Sequence, residues 1–227
     1  MPFLSNMIRI AITVLTTTTI DSTPSATPDP HLGQELIHAV AAGESKPVID
    51  LIARHADLEA RNDRQQTPLL IATHANTIEI ARLLIEAGAD VNAKDDMQDS
   101  AYLYAGASGF NEILKLTLAH GADLKSYNRY GGTALIPACE RGHVETVKIM
   151  IASGVEIDHV NKLGWTGLLE AIILSDGGPA HQEIMKLLIA AGADVNLADF
   201  DGVTPLQHAQ SRGYTIIADL LIAAGAH

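Results

Sequence analysis

Alternating carboxylates ahead of a glycine, as in Asp199-Phe200-Asp201-Gly202, are how a chain begins to wrap a hard cation such as calcium. The bidentate acid that would complete the shell is missing, since Ala209, Gln210 and Ser211 stand where it belongs. The ten histidines are spread along the chain without an H-E-x-x-H pair, and neither a P-loop nor a G-x-S-x-G elbow occurs. Cys139 is the only cysteine, which excludes an intramolecular disulfide and a Cys-based zinc cluster. Beside Ala138 in an apolar helical segment, it reads as a small buried hydrophobe and not as a reactive thiol. No catalytic residue, metal or cofactor is therefore expected. A Ser, His and Asp brought together only by the fold would leave no linear trace, but a repeat accounts for most of the polar residues.

The elements that would carry any site follow from composition. Of the 227 residues 47% are hydrophobic but only 4% aromatic, so the core must be built from Ala, Leu, Ile and Val, which suits closely packed helical layers better than a β-sandwich. The net charge of -12 opposes a phosphate backbone, whose affinity for proteins comes from Lys and Arg, and nucleic acid is not an expected partner. The same charge keeps the chain soluble and biases it towards basic partners.

Residues 1–31 read differently from the rest. A single Arg9, the apolar run Ile10 to Leu15, four threonines from Thr16 to Thr19 and the Pro-rich stretch from Pro24 to Pro30 fit two descriptions equally. One is a signal-peptide-like segment, which would make the protein periplasmic or secreted; the other is a disordered tail and linker, which would leave it cytoplasmic. No stretch reaches the roughly 18 to 20 apolar residues of a membrane-spanning helix.

From residue 32 onward the chain repeats itself. Gly88, Gly121 and Gly154 are 33 apart, as are Gly192 and Gly225, whereas Gly154 and Gly192 are 38 apart. A second column, Thr67, Ser100, Thr133, Thr166 and Thr204, shows the same excess of five only in its last interval. A third contains Asn76, Gly109, Gly142 and Gly213, and Asn is the natural substitute for Gly in a left-handed conformation. Counting back places a degenerate first unit with Gln34, Gly43 and His55 in the three columns. The five extra residues fall in unit five, around Asp176 to Ala180, between its helices. Each unit opens with a Ser or Thr suited to cap a helix, with Pro68 and Pro205 at the first helical position, where no N–H is needed. The third-column residue ends that short helix, an amphipathic second helix follows, and a Gly-Ala-Asp-Val-Asn run begins an exposed turn.

These residues, Thr67-Pro68-Leu69, then Leu83-Leu84-Ile85 and Gly88-Ala89-Asp90-Val91-Asn92, resemble the ankyrin repeat, whose length is also 33. The resemblance implies an all-α solenoid of about six stacked helix-turn-helix units with β-turn fingers over residues 32–227. The histidine common in that family after Thr-Pro-Leu is replaced by Ile37, Leu70, Leu103, Ile136, Leu169 and Gln207, which puts the usual polar tie between neighbouring fingers in doubt. Asp50, in a column otherwise filled by Leu83, Leu116, Ile149, Leu187 and Leu220, suits a terminal unit facing water. Unit six keeps Ile217, Leu220, Leu221 and Ile222, and weak self-association there would be the exception to an expected monomer.

The resemblance further implies protein binding through fingertips and the exposed side of each first helix. Mapped onto units four to six, those places hold Tyr127, Arg129, Tyr130, Glu140, Arg141, Lys162, Leu163, Trp165, Phe200 and Val203. Four of the nine aromatics fall here, beside two arginines, and Trp, Tyr and Arg dominate interface hot spots. The plainer reading is that each aromatic packs against the adjacent finger. Units two and three offer Arg64, Gln66, His74, Lys94, Asp96, Met97 and Asp99, a polar rim. The expected function is a noncatalytic adaptor, scaffold or inhibitor that binds a protein partner. The alternatives are a small-ligand-binding or enzymatic domain using the unit-five loop beside Trp165, and a regulator of an envelope enzyme.

Overall fold

Serine and threonine hydroxyls start the first helices because they accept the backbone N–H groups that a helix end leaves unpaired. Thr67, Ser100, Thr166 and Thr204 accept from the N–H three residues on, at 3.1, 3.2, 3.2 and 3.3 Å. Thr133 departs from the expected pattern: its buried Oγ1 has no partner. Pro137, four residues later, has no N–H to give to the Thr133 carbonyl. That carbonyl takes the Ile136 N–H instead, at 3.3 Å, and so removes the donor the hydroxyl would have used.

In the computed structural model, which describes residues 30–227, these starts produce six helix pairs. The first helices are α1 (Pro30–Ala41), α3 (Pro68–His74), α5 (Ala101–Ser108), α7 (Leu135–Glu140), α9 (Gly167–Ile173) and α11 (Pro205–Ser211). Their partners are α2 (Ser45–Ala53), α4 (Ile78–Glu86), α6 (Asn111–Ala119), α8 (Val144–Ser153), α10 (Pro179–Ala190) and α12 (Thr215–Ala223). Each pair packs on itself and on the next pair, first helix to first helix and second to second, which builds a two-layered solenoid. No strand occurs among the described residues, and none of their helices is long and apolar enough to cross a membrane. The signal-like features of residues 1–29 lie outside the described part.

One continuous apolar core runs through the stack, with Leu36, Leu69, Leu84, Tyr102, Ile113, Leu135, Met150, Leu168, Ile184 and Leu221 all sealed from solvent. Small residues let the layers approach: a Cβ on Gly106 of α5 would meet Met150 Cε and Ala134 Cβ. At the ends, Asp50 is exposed on α2, and α12 buries Ile217 and Leu221 while exposing Ile216 and Ile222.

Candidate functional site

The fingers between the pairs are built by a column of short polar side chains that the repeat arithmetic overlooked: Asn62, Asp95, Asn128, Asn161 and Asp199. One side-chain oxygen of each accepts two backbone N–H groups of its own turn, Tyr130 and Gly132 at 2.9 and 3.0 Å for Asn128, Leu163 and Trp165 at 2.9 and 3.1 Å for Asn161. The tip itself needs a left-handed residue, and Gln65, Gln98, Gly131, Gly164 and Gly202 all have positive φ. Tip residues are thereby held in place without help from a partner.

Neighbouring fingers are tied together despite the missing family histidine. His159 Nε2 donates to the Gly131 carbonyl at 2.7 Å, Lys162 N donates to Tyr130 O at 2.9 Å, and Lys94 Nζ donates to Tyr127 O at 2.8 Å. The doubt about the network is thus resolved by other donors: the tie is made from the finger side, His159 and Lys162 reaching the preceding turn and Lys94 the following one.

Between the fingers of units three to five and the helices α5, α7 and α9 lies a groove of about 510 Å³. Six of the ten residues chosen from the sequence line it: Arg129, Tyr130 and Glu140, with Arg141, Leu163 and Trp165. The other four do not. Tyr127 stacks on His159 with ring centroids 4.5 Å apart and planes within 10°. Lys162 lays its stem over Gly131 and donates from Nζ to Arg129 O at 3.1 Å. Phe200 is 75% exposed, with its ring over Gly164, and Val203 is half-buried in the last finger. For Tyr127 and Phe200 the plainer reading, packing against the adjacent finger, describes their place.

On the helix side the sequence pointed to Glu140 and Arg141 but not to the rest of the lining. Tyr104, Pro137 and Glu170 each stand four residues after a second-column Ser or Thr, and all three line the groove. A lone acid in a row otherwise reading Ile71, Tyr104, Pro137 and His208 was the available signal. Glu170 is only 5% exposed, and Asn161 Nδ2 donates to its Oε1 at 2.8 Å. Burial pushes its carboxyl up to about 7; Glu140 pushes the same way, while the Asn161 bond and Arg141 act against it. At the opposite wall Asp99 is raised by burial and by Asp95, with Arg129 3.9 Å away opposing this. Arg129 also lies over the Tyr130 ring, 4.7 Å from its centroid. Arg141 Nη1 donates to Ala107 O at 2.8 Å, across to the neighbouring unit. His74, kept below its ordinary value by burial, stacks on Tyr104 at 3.8 Å.

The residues weighed for metal or nucleophilic chemistry have structural occupations. Asp199 Oδ1 accepts from Asp201 N and Val203 N, and its Oδ2 lies 2.8 Å from His208 Nε2, so the calcium-like run is a finger turn. Among the described residues no group of three or more His, Cys, Asp or Glu could hold a metal ion. Burial pushes the Cys139 thiol up, with the Glu170 charge adding to this, and its sulfur lies beside Gly167. The unit-five loop is pinned rather than open: Tyr214 packs over Gly177, and its hydroxyl donates to Ser175 O at 2.6 Å.

Comparison with known proteins agrees with this architecture. A family model for ankyrin repeats (3 copies) matches residues 15–95, 101–199 and 154–227. An ankyrin-repeat protein of Escherichia coli (strain K12), YahD, is 55% identical over 58 residues, 26% of this chain and 29% of that protein. The crystal structure of an ankyrin repeat domain from Acinetobacter baumannii AYE is 58% identical, covers 85% of this chain and 98% of its own, and has a TM-score of 0.83. The ankyrin repeat protein EF0377 is 42% identical, with coverage of 84% and 97% and a TM-score of 0.81. The ankyrin repeat domain of Bcl-3, a member of the IkappaB protein family, is 29% identical, with coverage of 85% and 86% and a TM-score of 0.77.

Proposed function

The chain belongs to the ankyrin-repeat family, and from that premise we propose that it is a noncatalytic module that captures one protein partner in the groove of units three to five. Ankyrin repeats generally mediate protein–protein interaction; the choice of surface rests on this chain's own residues. The observation that carries it is the convergence of Arg129, Tyr130, Arg141, Leu163 and Trp165 on one concavity, with the backbone of each finger tip already fixed by Asn128 or Asn161. Preorganised aromatic and arginine side chains lose little freedom on binding, which is why such clusters dominate interface energetics. Residues 175–180 contribute nothing to the groove lining, so the small-ligand reading built on the unit-five loop has no support from them. As an adaptor, scaffold or inhibitor, the protein works by occupying its partner's surface.

The test is capture from the native extract on the immobilised full chain, compared with Trp165→Ala. Truncating a central tryptophan should weaken retention by at least about 2 kcal/mol, roughly thirtyfold, with the circular dichroism of the helices unchanged. A folded Trp165→Ala protein that retains every partner at wild-type strength would refute the assignment.

A further inference from the structure

Glu170 is out of character with its surroundings. It is 5% exposed and lines the groove, yet only Oε1 is engaged, by Asn161 Nδ2; Oε2 has no hydrogen-bond partner among the described residues. Oε2 is not among the sealed polar atoms that lack a partner, so it meets solvent in the groove, where a donor from an incoming group can replace water on it. Glu140 also lines the groove, and its carboxylate has neither an ion pair nor a hydrogen bond among the described residues. Neither groove cation is bonded to these carboxylates: Arg141 Nη1 is given to the Ala107 carbonyl and Arg129 sits between Asp99 and the Tyr130 ring. Beside the carboxylates stand Tyr104, Tyr130, Leu163 and Trp165. Aromatic faces next to an unmatched acid accommodate an amphipathic cation, whose stem packs on the rings while its head meets the carboxylate.

We propose that the groove receives a basic side chain, Arg or Lys, from an extended partner segment that carries an apolar residue beside it. Its charged head bonds Glu170 Oε2 under the influence of Glu140, and its stem lies along Trp165 and Tyr130. The net charge of -12 draws such a segment in before contact. The inference rests on the groove being the binding surface and adds the chemistry of what enters it.

A random dodecapeptide library displayed on phage, selected against the intact chain at pH 8, supplies the probe. Trp165 is the only tryptophan, so its fluorescence reports occupancy of the groove directly. The enriched peptides should share an Arg or Lys next to an apolar residue. Replacing that residue by citrulline or norleucine should weaken binding at least tenfold, and Glu170→Gln should do the same, with the two losses not adding. Gln keeps an oxygen for Asn161, so the variant retains its fold. Undiminished affinity on Glu170→Gln would overturn the inference, as would a selection that enriches nothing or enriches peptides without a basic residue. Non-basic peptides that still perturb Trp165 would overturn it while leaving the groove in place. Peptides that bind Trp165→Ala as well as wild type would remove the groove reading itself.

Discussion

Replacing Glu170 by Gln should make the protein more stable, and by an amount that depends on pH. The folded carboxyl titrates near 7 against an ordinary value of 4.5. Between those values the folded chain still holds a proton that the unfolded chain has lost, so stability falls as pH rises through this window and levels off above about 7. The full penalty is about 3 kcal/mol, from some 2.5 pH units at 1.36 kcal/mol each. Glutamine keeps the hydrogen bond from Asn161 Nδ2 but has no charge to bury, so it escapes the penalty. The advantage of the variant should widen by about 2 kcal/mol between pH 5.5 and pH 8, by the same linkage. Urea denaturation of both proteins, followed by circular dichroism at several pH values, measures the difference directly, and effects of the other carboxylates cancel. A stability difference that stays flat with pH, or a variant less stable than wild type at pH 8, would show that the Glu170 charge is already well solvated or paired.

Three further outcomes follow from local geometry. Thr133→Val removes a buried hydroxyl without a partner and should be neutral or stabilising by up to about 1 kcal/mol, whereas Thr166→Val loses a working cap and should cost about 1 kcal/mol, both read from urea midpoints. Gly164→Ala should be costlier than Gly154→Ala: both have φ near 84°, at +85° and +83°, but a Cβ on Gly164 would lie 2.6 Å from Phe200 Cγ, while at Gly154 nothing lies within 4 Å. Equal losses in the two variants would show that Phe200 does not press on that finger. The Cys139 thiol should be inert to a disulfide reagent in the folded protein and react fully once unfolded; fast labelling of the native state would contradict its burial.

Much of the fold was legible because each unit repeats the same local chemistry. A capping hydroxyl, a helix of about two turns, a left-handed breaker and a second helix recur every 33 residues, and even His55, reached only by counting back, has the positive φ of its column. Thr133 escaped this reading because a cap depends on which donors are free, and Pro137, four residues away, changes that. The Asn and Asp column that builds the fingers was equally periodic and could have been found. Its meaning lies in backbone N–H groups two and four residues on, which spacing alone does not display.

The candidate site divides along the same line. Residue type and column placed aromatic and arginine side chains on fingers, a statement about position along a repeat. Whether a fingertip side chain faces the groove, as Trp165 does, or lies on its neighbour, as Tyr127 and Phe200 do, depends on the adjacent unit's atoms, which no single repeat contains. Glu170 shows the limit most clearly. The chain alone displays one acid among apolar residues, and only stacking makes it a buried carboxylate facing a groove, because burial and opposing charge are properties of units brought together in space.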